Sequence, residues 1–389
     1  MVYKIEPLDL NALLLPVTAA TAAVTRLDER LARSPVRDGF IERQHFADAC
    51  AALWLEGELV HAEDLVLHDA HMDIRTPTHE LTRAHGVLRA RRQIAANKPI
   101  WALSRAGLAR LTGRGGVADG HRANTVAGDN NEDDNETVTA LNADAQSQAS
   151  QTPAPDELTK ALEAMDAALQ RSAKVLDGQD AQTGLGTQAA LSTPQTPERP
   201  ALVYDLDWDE NARLAEWQEV IASTRALPAV LRVALLIDAW GEIDVLQHAF
   251  WLGPLLTAAL LREQGLAGHH LYAVHLGLKQ IPRESRRAPD RLRRLIAQIE
   301  AFNAGAMFGL KEHDRLIQAR QHMQRKLTGK RKNSKLSALI DLTLTRPLIT
   351  APLVQKELKL SQQGALNLIG ELALREVTGR GRYRAWAVG

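Results

Sequence analysis

The sequence predicts an all-α body, interrupted by long disordered linkers, that ends in a C-terminal winged helix-turn-helix. Three observations predict it. Apolar residues recur at spacings of three and four through most of the chain. Two polar stretches carry no such period, and after Asn333 the pattern changes to short capped helices followed by strand-like alternation around glycines. At 389 residues, with 45% hydrophobic and 24% charged positions, the chain has room for more than one domain and an ordinary globular composition, which excludes a wholly disordered or fibrous protein.

Taken in order, the helical period covers residues 17–31, 42–55, 62–69 and 79–96, giving an N-terminal part of the body at 1–112. The period then vanishes. Residues 113–200 are rich in Asp, Asn, Ser, Gln and Ala and read as disordered linkers flanking one tethered helix at 156–176. Helical spacing resumes at 212–224, 228–240, 246–264, 289–308 and 312–327, so that 201–328 forms the C-terminal part of the body.

From residue 333 to 389 the signals are local and specific. A first apolar helix, 334–344, ends at Arg346-Pro347, because a residue before proline disfavours the helical region. Thr350 caps a second helix, 351–358, with Pro352 in a first turn where a missing N–H costs nothing. Ser361 caps a third, 362–374, whose Ala365, Leu366, Ile369 and Leu372 face inward while Gln362, Gln363 and Asn367 are left for solvent or a ligand. Two short helices around a tight turn make a helix-turn-helix. A wing follows: residues 375–378, a Gly379-Arg380-Gly381 turn, and 382–388 with alternating side chains.

Charge supports the same reading. The 47 basic and 47 acidic residues cancel, but residues 311–389 hold 16 basic against 6 acidic, leaving 31 against 41 in residues 1–310. A basic tail on an acidic body points to a polyanion, and the expected partner is double-stranded DNA. The Ser361 hydroxyl and the amides of Gln362, Gln363 and Asn367 suit base edges, while Lys330, Arg331 and Lys332 before the domain and Arg380, Arg382 and Arg384 in the wing suit phosphates or a narrow minor groove. A palindromic site would require a homodimer; a protein partner or small ligand of the body is the other class of partner expected.

The first 20 residues carry Glu6 and Asp9 and only a short apolar run, unlike a secretory signal. The most apolar stretch, 249–261, is too short to cross a bilayer. With one cysteine, Cys50, read as a core residue, the expected location is the cytoplasm, with no membrane contact. His61, Asp64, His68 and His71 recur at three, four and three and could share a helical face, yet such histidines are more commonly solvated, and no metal is expected. His269, His270 and His275 form a weaker set still. The six arginines of 283–294 read mainly as a loop and a solvated helix start. Nucleotide-loop, lipase-like and zincin motifs are absent, and no cofactor is expected.

Two stretches of the body resemble Fic-domain proteins. Residues 51–57 (AALWLEG) are similar to that family's inhibitory helix, with Glu56 on its glutamate and Ala52 where the family has Ser or Thr. Residues 247–265 resemble its catalytic loop and following helix. With His248 and Phe250 on the family's His and Phe, Gly253 takes the first glycine, but Pro254 and Leu256 replace the asparagine and arginine; shifting the register restores neither. AMP transfer needs an anion-stabilising loop that proline and leucine do not supply. The resemblance therefore implies a degenerate Fic-like helical domain, an enzyme no longer, with a diverged nucleotidyl transferase braked by Glu56, or an antitoxin-like interaction module, as alternatives. More closely, the whole chain resembles an uncharacterised family of plasmid-encoded helix-turn-helix proteins from rhizobia and related bacteria, which share the Trp54-Leu55-Glu56-Gly57 stretch, Gly309 to Asp314 and the closing Gly379 to Trp386. That setting implies a regulator of plasmid or mobile-element genes.

Overall fold

In the computed structural model the described residues are 3–73, 76–113, 208–328, 335–378 and 384–388. All belong to one of the two units into which the chain divides, residues 1–120 with 201–389. The expected linkers and the helix at 156–176 lie outside the described residues.

The body opens with α1 (Leu10–Ala32), capped by Asp9, whose carboxylate accepts from the Ala12 N–H at 3.1 Å. The sequence reading began this helix at Val17, after Pro16; the cap and the burial of Leu13 carry it seven residues further upstream. By length and composition α1 is also long and apolar enough to cross a membrane, a candidate that the sequence, with its most apolar stretch at 249–261, does not lead one to expect. Here Leu13, Val17, Ala20, Val24, Leu27 and Leu31 are buried and that face packs on α11 (Arg291–Arg325), while Leu10, Leu14 and Leu15 at its start are exposed.

Around that pair stand α2 (Arg37–Leu55), α3 (Ala62–Asp69), α4 (His79–Ala96), a 3-10 turn (Pro99–Leu103), α5 (Arg105–Leu111), α6 (Glu210–Ser223), α7 (Ala229–Ile243), α8 (Leu252–Glu263), α9 (Val274–Lys279) and the single turn α10 (Arg283–Arg286). Bounds for α3 and α4 equal those expected. Two expected helices, 289–308 and 312–327, are instead the continuous 35-residue α11. Its glycines do not break it, because they serve contact: a Cβ on Gly309 would meet the Leu27 side chain at 2.8 Å, and one on Gly305 would meet the Tyr272 hydroxyl at 2.7 Å.

A buried ionic cluster ties α2, α4 and α9 together. Asp48 pairs with Arg91, both side chains fully buried, and accepts from the Leu276 N–H at 2.8 Å; His275 Nδ1 lies 2.9 Å from the same carboxylate. Burial alone would raise the Asp48 carboxyl, but Arg91 and His275 outweigh it and hold the carboxyl below its usual range. His275 Nε2 reaches the Trp251 carbonyl at 3.0 Å, so the cluster also fixes the loop that precedes α8.

The C-terminal domain comprises α12 (Leu336–Thr345), β1 (Ile349–Thr350), α13 (Ala351–Leu358), α14 (Gln362–Leu372), β2 (Arg375–Glu376) and β3 (Ala385–Ala387). The strands form one antiparallel sheet in the order β1-β3-β2, with Ile349 opposite Trp386 and Glu376 opposite Trp386 on the other side. The sequence reading gave the last two strands and missed β1, which is only two residues long. Leu339, Ile340, Ile349, Val354, Ile369, Leu372 and Trp386 close a small core beneath the three helices.

Candidate functional site

The helix-turn-helix forms as its local signals dictate. Thr350 Oγ1 accepts from the Leu353 N–H at 3.3 Å and starts α13, with Pro352 in the first turn. Lys359 ends it in the left-handed region (φ 50°, ψ 59°), reversing the chain within three residues. Ser361 Oγ then accepts from the Gly364 N–H at 3.1 Å and starts α14.

On α14, Ala365, Ile369 and Leu372 are buried, whereas Ser361, Gln362, Gln363 and Asn367 are exposed, as are Lys356 and Lys359 on the preceding helix and turn. Gln363 Nε2 donates to Asn367 Oδ1 at 3.0 Å, so the two amides lie on adjacent turns of one outward face. Gln and Asn amides in such a position match the bidentate pattern of an adenine edge. In the sheet, Arg384 is committed: its Nε donates to the Glu376 carboxylate at 2.9 Å and its guanidinium carbon sits 5.1 Å from the Trp386 ring centroid. Lys330, Arg331, Lys332, Arg380 and Arg382 lie outside the described residues.

A second site lies in the body. A cavity of about 740 Å³ is lined by Leu55 and Glu56 at the end of α2, His79 and Arg83 at the start of α4, His248, Phe250 and Trp251 of the loop before α8, and Arg286 and Arg287 after α9, among others. Glu56 and His248, far apart in sequence, thus meet in one cavity. Arg83 bridges Glu56 and Glu58. Burial raises the Glu56 carboxyl, and although Arg83 opposes this, the net direction is upward.

Gly253 is not in that lining. It is buried at the start of α8 against the Trp240 indole, where a Cβ would lie 2.3 Å from the ring, so packing alone demands a glycine. Leu256 is fully buried in the core, and Pro254 is buried at the cavity wall. His79, Arg83, Arg286 and Arg287 do not stand out together in the sequence, because only the fold assembles them from two distant segments.

The histidine set of α3 disperses. His68 Nδ1 faces Asp73 at 2.7 Å, His71 has a positive φ beyond the helix, and among the described residues no group of three or more His, Cys, Asp or Glu side chains is placed to hold a metal ion. His269 and His270 are held by Asp28, and Cys50 is half-buried, its thiol pushed up to about 12 by burial.

A helical body that ends in a winged helix-turn-helix with a polar, solvent-facing second helix defines a DNA-binding protein. Residues 336–388 match the family described as HTH DNA binding domain, and residues 202–328 match the family described as protein of unknown function (DUF1612). Over 392 residues, covering 100% of both chains, the sequence is 46% identical to the uncharacterized protein y4cF of Sinorhizobium fredii (strain NBRC 101917 / NGR234), and the chain belongs to that protein's family.

Proposed function

We propose that the protein is a cytoplasmic transcriptional regulator of plasmid or mobile-element genes, in which α14 reads a double-stranded DNA site and the helical body dimerises, senses a ligand or recruits a partner. The observation that carries this reading is the outward amide face of Gln363 and Asn367 on the second helix of a domain that matches a DNA-binding family. Lysines 330 and 332 and the arginines at 331, 380 and 382 add phosphate contacts by their place beside and within that domain. The test is a genome-wide footprint of the tagged protein in its host, run beside a chain truncated before Asn333 and a Gln363→Ala, Asn367→Ala variant. Sharp peaks sharing one motif, lost on truncation and weakened about tenfold or more by the double substitution, are expected. Peaks that survive truncation, or no peaks, would remove the reading.

The body is a non-catalytic, degenerate Fic-like domain in this proposal. Glu56 and His248 lining one cavity supports the kinship, while the burial of Pro254 and Leu256 at the positions of the family's asparagine and arginine supports the loss of catalysis. Incubated with labelled ATP and magnesium or manganese, neither the wild type nor Glu56→Gly should transfer label to itself or to host proteins. Label transfer by the Glu56→Gly variant would instead favour a braked nucleotidyl transferase.

A further inference from the structure

The cavity that holds Glu56 and His248 has two kinds of wall. One is flat and apolar: Phe250 is 47% exposed although it is a large hydrophobic residue, and it stands with Leu55, Trp251 and Pro254. The other is cationic. Arg286 and Arg287 both line the cavity, and among the described residues neither has a carboxylate within 4.0 Å. Arg286 uses its Nε on the Ile281 carbonyl at 3.0 Å, which fixes the side chain and leaves its terminal nitrogens without a hydrogen-bond partner among the described residues.

Their neighbours differ. Arg291 and Arg294, a few residues on, are neutralised by Asp238 and Glu242. Arg83, which also lines the cavity, is taken by Glu56 and Glu58. The basic stretch at 283–294 is therefore not uniform: of its four arginines without an acid among the described residues, Arg283, Arg286, Arg287 and Arg293, only Arg286 and Arg287 line the cavity. Burial, then Arg287 and Arg283, pushes the Arg286 guanidinium down, the cost of crowding like charges beside an apolar wall. A bound anion would offset that cost.

We infer that this cavity binds a small organic monoanion built on a flat ring, an aromatic carboxylate, with the ring against Phe250 and the carboxylate between Arg286 and Arg287. Counting the two glutamates held by Arg83, the three arginines leave one net positive charge, which matches a carboxylate better than a doubly charged phosphate. The volume suits a ligand of one to three rings, and a neighbouring cavity of about 590 Å³ shares Phe250, Pro254, Arg286 and Arg287, so substituents can extend past the arginine pair. Glu56 Oε1 is buried without a hydrogen-bond partner among the described residues and is placed to accept from a ring hydroxyl. The inference concerns the body alone and stands whether or not the helix-turn-helix binds DNA.

The test is titration of the full chain with 1-naphthoate, followed by calorimetry, beside the neutral isostere 1-naphthalenemethanol and inorganic phosphate. One naphthoate per chain is expected, bound at least tenfold tighter than the alcohol, with phosphate a poor competitor. Arg286→Gln with Arg287→Gln should erase the preference for the carboxylate while leaving binding of the alcohol intact, which also shows that the variant is folded; Arg283→Gln, outside the lining, should keep a preference for the carboxylate of at least tenfold. Equal affinity for acid and alcohol, a preference that survives the double substitution, tighter binding of phosphate, or no saturable binding of naphthoate would each overturn the inference.

Discussion

His45 sits in α2 with its side chain buried, and desolvation, reinforced by Arg91 and Arg92, pushes the imidazole down to about 3. Folding therefore holds this ring neutral, whereas in the unfolded chain it takes a proton near pH 6.5. Between those two values the unfolded state binds the extra proton, so stability falls as pH falls from about 6.5 toward 3. His270, fully buried and lowered chiefly by desolvation despite Asp28, adds a slope of the same sign. The carboxylates work in a different window. Burial would raise Asp28, but the hydrogen bonds from His270 and His269 prevail and hold it at about 2, so its contribution is present above the usual carboxylate value and is lost only as pH falls through about 2. Urea denaturation at pH 7.5, 6.5, 5.5 and 4.5 should thus show little change at first and a growing loss below about pH 6.5, with His45 accounting for up to about 1.4 kcal/mol per pH unit. In His45→Gln that slope should flatten by about one proton; an unchanged slope would mean that His45 is not the group titrating.

At the scale of elements, what was legible in the sequence is what local chemistry decides. The winged helix was readable because Thr350, Pro352 and Ser361 announce their own helix starts, and the structure places both hydroxyls on the amides expected. The same holds for α3 and α4, whose periods are uninterrupted. Misreadings arose where a residue's role is set by something distant. The period breaks after residue 308, beside Gly309, yet the helix runs on, because that glycine answers to α1, where a Cβ would lie 2.8 Å from the Leu27 side chain. Gly253 looked like part of an anion-binding loop but answers to Trp240. Segments of two to seven residues, such as β1, α5, α9 and α10, are too short to show a period. Part of the body cavity was legible through resemblance, in Ala52, Glu56, His248, Phe250 and Pro254; Arg286 and Arg287 read as solvated because their isolation from acids is a property of the fold, since the nearby Asp238 and Glu242 are spent on Arg291 and Arg294.

At the scale of the whole molecule, the question is how the helical body and the DNA-binding domain are joined. Arg43 of α2 donates to three carbonyls at the end of α12: Leu344 at 2.6 Å, Thr343 at 2.9 Å and Arg346 at 2.7 Å. A cation at a helix C-terminus satisfies acceptors that the helix itself leaves open and meets the negative end of its dipole. Burial, and then Arg315, pushes the Arg43 guanidinium down to about 10, so it remains charged at neutral pH while being held in place by those carbonyls. Gly39, one turn earlier, makes the approach possible: a Cβ there would lie 1.7 Å from the Leu344 oxygen. On the far side, Lys326 near the end of α11 donates to the Leu372 carbonyl at 2.7 Å, at the end of α14. The domain is thus clasped at the C-terminal ends of two of its three helices, and a change in the body could reach α14 through either contact. Removing one clasp should loosen the domain without unfolding the body. For Arg43→Ala, the loss of charged hydrogen bonds at a buried helix end should cost about 1.5–3 kcal/mol, seen as faster amide exchange in the last turn of α12 and an earlier, separate melting step for residues 336–388, with exchange in α1 and α11 unchanged. Gly39→Ala should give the same pattern by steric exclusion instead of lost hydrogen bonds. A single melting step with its midpoint unmoved in both variants would show that the two parts are held together elsewhere.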